Sequence, residues 1–250
     1  RCAWSGGTMG GAGSTTVVPG AALTISGANP ILSQRTFNQQ STSGTWSGTG
    51  QISLQGGAVL NNSGTLTATG DGLMRNDAST ATFNNSGTFR KNTGTGTTII
   101  DRSGGAAFTI NNSGTLDVQS GTLQVGGAVV FNHDGLVNVA GGTTFALPSV
   151  SGGAGAGDYV IAGTGLVSFT NSTQTLNAGA DISGAGLFSV NSGTLTVAGA
   201  MSVDNLTQSG GTITGSAALT VDNSFAWSGG TQGGAGSTTV VPGAALTISG

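Results

Sequence analysis

Residues 4–27 of this chain, WSGGTMGGAGSTTVVPGAALTISG, return as residues 227–250, WSGGTQGGAGSTTVVPGAALTISG, with one change, Met9 to Gln232. Trp4 is matched by Trp227 and Gly27 by Gly250, so the offset is constant throughout. A long self-match at fixed spacing decides architecture before any local pattern does, because it marks a unit built to stack on copies of itself. On this reading residues 1–27 are the end of one unit and residues 28–250 a complete following unit, continuous with it in one elongated array.

A shorter rhythm runs inside the unit. An apolar residue followed by asparagine recurs at Phe37-Asn38, Leu60-Asn61, Phe83-Asn84, Ile110-Asn111, Phe131-Asn132 and Leu176-Asn177. The first four gaps are similar, and the last, about twice as long, counts as two steps with a marker missing near residues 151–157. About ten steps of roughly 22 residues fill the unit, which is the length of one coil of a β-solenoid. Between markers stand short alternating runs such as Thr65-Leu66-Thr67-Ala68 and Thr194-Leu195-Thr196-Val197, the pattern of a strand with one dry and one wet face. Ser-Gly, Gly-Gly and Asn-Ser-Gly separate them and supply corners. The expected fold is all-β: a right-handed parallel β-helix (β-solenoid) of about 22 residues per coil without significant helix.

Composition then acquires a cause. The chain has 48 glycines and only 6% charged residues, with a formal net charge of −3. Equivalent residues of stacked coils lie about 4.8 Å apart, so a charged column would repel itself in every layer. Thr, Ser, Asn and Gln carry no such penalty, and stacked amides bond to one another along the column. Asn38, Asn61, Asn84, Asn111, Asn132 and Asn177 are the candidate ladder; the competing reading is that they only mark turns. The phenylalanines at 83, 89, 108, 131, 145, 169 and 188 are candidate core aromatics, and Trp4, Trp46 and Trp227, each opening a WSG motif, are read as packing residues.

The phrases NNSGTFRK at 84–91, NNSGTLDVQSGTL at 111–123 and LTQSGGTITG at 206–215 resemble repeats of giant bacterial surface and secreted proteins of the filamentous-haemagglutinin or autotransporter-adhesin kind. That resemblance implies an exported β-helical stalk, extracellular or at the cell surface, that adheres or builds a matrix. The implied partner is the chain itself, by covalent continuation, end-to-end stacking or lateral bundling.

Chemistry is sparse. His133 is the lone histidine, placed by Asn132-His133-Asp134-Gly135 in an exposed turn, so no Ser-His-Asp triad or multi-histidine metal site assembles within one chain. Residues 152–158, GGAGAGD, approach a calcium-binding nonapeptide but occur once. No catalytic residue, metal or cofactor is assigned, no nucleic-acid partner is expected without a basic patch, and no apolar run spans a membrane as a helix. The alternative is a polysaccharide lyase or hydrolase using Asp158, Asp181, Asp204 and Asp222 as one column; the reading against it has Asp replacing Asn at corners. A second alternative is an ice-binding solenoid using Thr65/Thr67, Thr194/Thr196 and Thr212/Thr214, against which stands the uneven length of successive coils. Arg75, Arg90, Lys91 and Arg102 are expected in exposed ion pairs with Asp71, Asp77 and Asp101. Asn61, Asn84, Asn111, Asn171 and Asn205 match the glycosylation pattern, as composition alone would produce.

Overall fold

A computed structural model describes residues 1–77 and 79–250. The chain is an all-β parallel solenoid of about 11 coils of roughly 22 residues, and no helix occurs among the described residues. Most coils have three strands of mostly three to five residues, and strands inside the stack pair in parallel with their counterparts one coil before and after. Such strands are too short to persist alone and gain their order from this stacking.

Three faces result. The first runs from Cys2–Trp4 through Leu23–Ile25, Thr65–Ala68 and Thr115–Val118 to Asp158–Ile161 and beyond. The second runs from Thr8–Gly10 through Gln51–Gln55 and Thr97–Ser103 to Leu166–Thr170. The third starts at Ser14–Val17 and passes through Thr36–Gln39, Ala58–Asn62, Ala81–Asn85, Phe108–Asn112 and Val130–His133. It resumes at Ala154–Gly155 and continues through Ser172–Leu176, Gly193–Val197 and Thr212–Gly215.

Alternation along each strand sends every second side chain inward. Leu66, Phe89, Leu116 and Val137 stack on the first face, and Met74, Ile100 and Val125 on the second, all with no exposed surface. All seven phenylalanines expected inside are buried, and aromatic rings from different faces meet across the lumen. Phe83 on the third face and Phe89 on the first make an edge contact at 5.7 Å, a favoured geometry for aromatic pairs. Trp4 is buried and stacks on Phe37 at 5.6 Å; Trp46 is buried, and Trp227 is half-buried beside Phe225.

Coil length varies at the corners and leaves the faces in register. The longest step, from Asn84 to Asn111, gains three residues at the corner between Lys91 and Ile99 and one more in the turn after Ser103. The two shortest steps arise where Met201–Gln208 and Leu219–Trp227 each run round the first corner as one continuous strand, with a register shift between Val203 and Asn205. Glycine is required at the third corner by close approach. A Cβ on Gly87, Gly114 or Gly135 would stand 2.1 Å from the carbonyl oxygen of Gly64, Gly87 or Gly114 respectively, so only backbone fits in that column.

Candidate functional site

The third face concentrates the unusual chemistry of the chain. Its outward column is an amide ladder. The Nδ2 groups of Asn61, Asn84, Asn111 and Asn132 each donate to the Oδ1 of the asparagine one coil earlier, Asn38, Asn61, Asn84 and Asn111, at 2.8 Å in every case. Asn38 donates to Thr16 Oγ1 at 3.2 Å. Asn177 is not in this column: strand pairing carries Asn132 onto Ala154 and then Thr175, leaving Asn177 two residues past its strand position. The unmarked step expected near residues 151–157 is Ala154 itself.

A second ladder runs back to back with the first, and sequence reasoning missed it. Gln39, Asn62, Asn85, Asn112 and His133 point inward from the neighbouring positions and are buried. Asn62 Nδ2 donates to Asn85 Oδ1 and Asn85 Nδ2 to Asn112 Oδ1, both at 2.7 Å. The same nitrogens also donate to the Thr88 and Thr115 carbonyls at 2.9 and 3.0 Å, tying each column member to the corner of the next coil. Donation runs toward the C-terminus inside and toward the N-terminus outside, so the dipoles of the two columns oppose. The signal was available in the doubled asparagines at 61–62, 84–85 and 111–112, because adjacent strand residues face opposite sides.

His133 closes the inner column. It is buried, not in an exposed turn as expected, stacked on Phe131 at 5.5 Å and edge-on to Tyr159 at 4.9 Å. Asn112 Nδ2 lies 3.0 Å from Nδ1 and Asp158 O lies 3.2 Å from Nε2. An amide donor on Nδ1 and a carbonyl on Nε2 select the neutral tautomer protonated at Nε2. Burial holds its pKa below the usual histidine value, outweighing the opposing pull of the Asp158 carbonyl and the charges of Asp134 and Asp158.

The ladders end at a seam of backbone. In the next coil the third face is built from Gly152, Gly153, Ala154 and Gly155, the stretch compared above with a calcium loop. A Cβ on Gly153 would lie 2.0 Å from Phe131 O, and one on Gly155 would lie 1.7 Å from His133 O. The gap left by Gly153 lets buried Gln174 reach two coils down and donate to Phe131 O at 2.9 Å. Beyond the seam the columns change character. Outward stand Thr173 and Thr175, Thr194 and Thr196, Thr212 and Thr214, aligned in three consecutive coils, while Leu176 and Val197 replace the inner amides.

The charged residues fall elsewhere. Asp158 and Asp181 stack on the first face, where Asp158 Oδ1 accepts from Asp181 N at 3.0 Å and Asp181 Oδ1 accepts from Ser202. Asp204 and Asp222 lie farther along the strand, at the register shift, so the four aspartates do not form the single column expected of them. Asp204 accepts from Gly184 N at 2.6 Å. Arg75 pairs with Asp101 through two 3.0 Å contacts and Arg90 with Asp117 at 2.7 Å, both between adjacent coils. The pair with Asp101, chiefly through its hydrogen bonds, raises the Arg75 pKa. Lys91 departs from the exposed pairing expected of it: its side chain has no exposed surface and its ammonium donates to Asp71 at 2.7 Å inside the corner. The alternation Phe89 in, Arg90 out, Lys91 in was readable in the sequence. No group of three or more His, Cys or Asp side chains able to hold a metal occurs among the described residues. No helix there is long and apolar enough to cross a membrane, which leaves strands unaddressed.

Comparison with protein-family models, with curated proteins and with solved structures finds no match to this chain.

Proposed function

We propose that the chain is a segment of a structural filament, an extracellular stalk or matrix fibre in which the unit of residues 28–250 follows itself within one continuous solenoid. The observation that carries this reading is the equivalence of the two motif copies. Cys2 pairs with Leu23 and Trp4 with Ile25; at the equivalent positions of the second copy Phe225 pairs with Leu246 and Trp227 with Ile248. The repeated segment thus makes the same coil-to-coil pairing in both copies, which supports a reading in which one unit runs into the next without a linker. Load along such a rod is shared by parallel ladder bonds on three faces and by the double amide column. Cell-surface placement and adhesion rest on the resemblance of the NNSGT phrases to bacterial adhesin repeats.

Electron microscopy of a chain with several units in tandem tests the reading. Unbranched rods lengthening by about 50 Å per unit, at ten-odd coils of strand spacing, are expected. Beads separated by flexible joints would overturn it. Antibody labelling of intact producing cells tests placement, with surface staining expected and staining only after lysis contradicting it.

A second reading has one observation in its favour. Thr173/Thr175, Thr194/Thr196 and Thr212/Thr214 form a two-column hydroxyl grid at strand and coil spacing, despite unequal steps from each coil to the next. The uneven coil lengths that counted against ice binding are absorbed in corners. Inhibition of ice recrystallisation by the chain, abolished by Thr194→Val with Thr196→Val, would support an ice-ordering face; no inhibition by the parent chain removes it.

A further inference from the structure

The two motif copies occupy different sides of the solenoid. In the first copy Cys2–Trp4 lies on the first face, Thr8–Gly10 on the second and Ser14–Val17 on the third. In the second copy the equivalent Phe225 to Trp227 lies on the second face, paired with Leu206 to Gln208. Thr231–Gln232 lies on the third, paired with Thr212 and Ile213, and Thr238–Val240 on the first, paired with Leu219 to Val221. All three strands have advanced by one face, and Ala245–Ile248 follows suit against Ser224 to Trp227. A slip confined to one strand would have broken this order. The unit therefore fills ten coils and one further face.

We propose, building on the filament reading, that successive units in the array are rotated by a third of a turn about the solenoid axis. Each surface feature then returns to the same side only at every third unit, after about 31 coils or about 150 Å at strand spacing. The shift is permitted because the three sides accept the same strand pattern. Trp4, Val17, Leu23 and Ile25 are the buried inward residues of the first copy, and their places need only an apolar residue pointing inward. The consequence is a surface distributed around the rod. The outward asparagine stripe, on the third face here, passes to the first face in the next unit and to the second in the one after. A neighbouring rod, a second copy of this same chain, would meet that stripe from any of three directions and never as an unbroken line along one side.

Two experiments test this. In this chain with Cys2→Ala, the pair Thr212→Cys and Thr231→Cys, aligned on the third face, should close a disulfide on oxidation. The pair Thr214→Cys and Thr239→Cys, which would be stacked if the motif kept the same faces in both copies, should stay reduced, because Thr239 lies against Thr220 on the first face. The reverse result overturns the inference. Helical reconstruction of a tandem-unit rod should give a rotation of about 120° per unit. A rod with zero rotation overturns the inference and leaves the filament reading standing, whereas the absence of any continuous rod overturns both.

Discussion

The third face is one surface with two fillings, and the contrast shows what the amides do. From Thr36 to His133 it carries asparagine outward and amides inward, every coil bonded to the next through side chains as well as backbone. From Ser172 to Gly215 it keeps the same parallel pairing with threonine outward and mostly aliphatics inward. The backbone ladder therefore does not need the amides. Their contribution is directional: a buried amide bonds well only to an amide one layer away, so the column fixes register, while a valine stack tolerates sliding. The penalty is visible at the column's start, where Asn62 Oδ1 is buried without a partner because Gln39 commits its own amide nitrogen to the Ser41 and Thr65 carbonyls.

The largest predicted effect strikes the seam between the two halves. Gly155→Val drives a side chain into the His133 backbone and should cost about 3 kcal/mol or more, read as a lowered denaturant midpoint, with near-wild-type stability contradicting the close packing. Next, Asn85→Leu leaves the Asn112 acceptor and one bond to Thr115 unfilled within the inner column. A loss of roughly 2–3 kcal/mol is expected, against less than about 1.5 kcal/mol for the volume-conserving Leu176→Met at an equivalent inner position beyond the seam. Equal losses would erase the distinction between the halves.

Protonation should act on one half only. The pKa of His133 is lower folded than unfolded, so the unfolded chain binds the extra proton first. Stability is full above about pH 6.5, the unfolded value, and falls below it by up to about 1.4 kcal/mol per pH unit until the folded pKa is reached. His133→Asn should flatten that slope while continuing the ladder, and an unchanged slope in urea titrations between pH 7 and 5 would assign the acid sensitivity to other groups. The smallest effects belong outside: Asn84→Thr should cost about 1 kcal/mol by removing two ladder bonds, and Thr196→Val should stay within about 0.5 kcal/mol.

Legibility followed the same division. The parallel coil, its length and the inward phenylalanines were readable because period and alternation are properties of the sequence alone. The outward asparagines could be picked out by spacing, since five of the six chosen share one column. Asn177 falls outside it because a fixed offset cannot distinguish a strand position from the turn two residues later. Residue type places His133 and Lys91 outside, yet each occupies an inward strand position where a local partner, Asn112 or Asp71, accommodates it. Two pairs of the threonine grid, Thr194/Thr196 and Thr212/Thr214, were legible by spacing, but Thr173/Thr175 was missed and Thr65/Thr67, on the first face, was grouped with them, because spacing measured along the chain mixes corners with strands. The glycosylation pattern is reinterpreted as well: at Asn61, Asn84 and Asn111 the nitrogen that would carry a sugar is already committed to the ladder.

The most direct test of the stacked-coil account is a solid-state NMR distance measurement on asparagine-labelled protein. The account predicts through-space contacts from the Asn84 side-chain nitrogen to the Asn61 carboxamide carbon and from Asn111 to Asn84, pairs 23 and 27 residues apart in sequence. Contacts confined to sequence neighbours, or to asparagines at other separations, would contradict it.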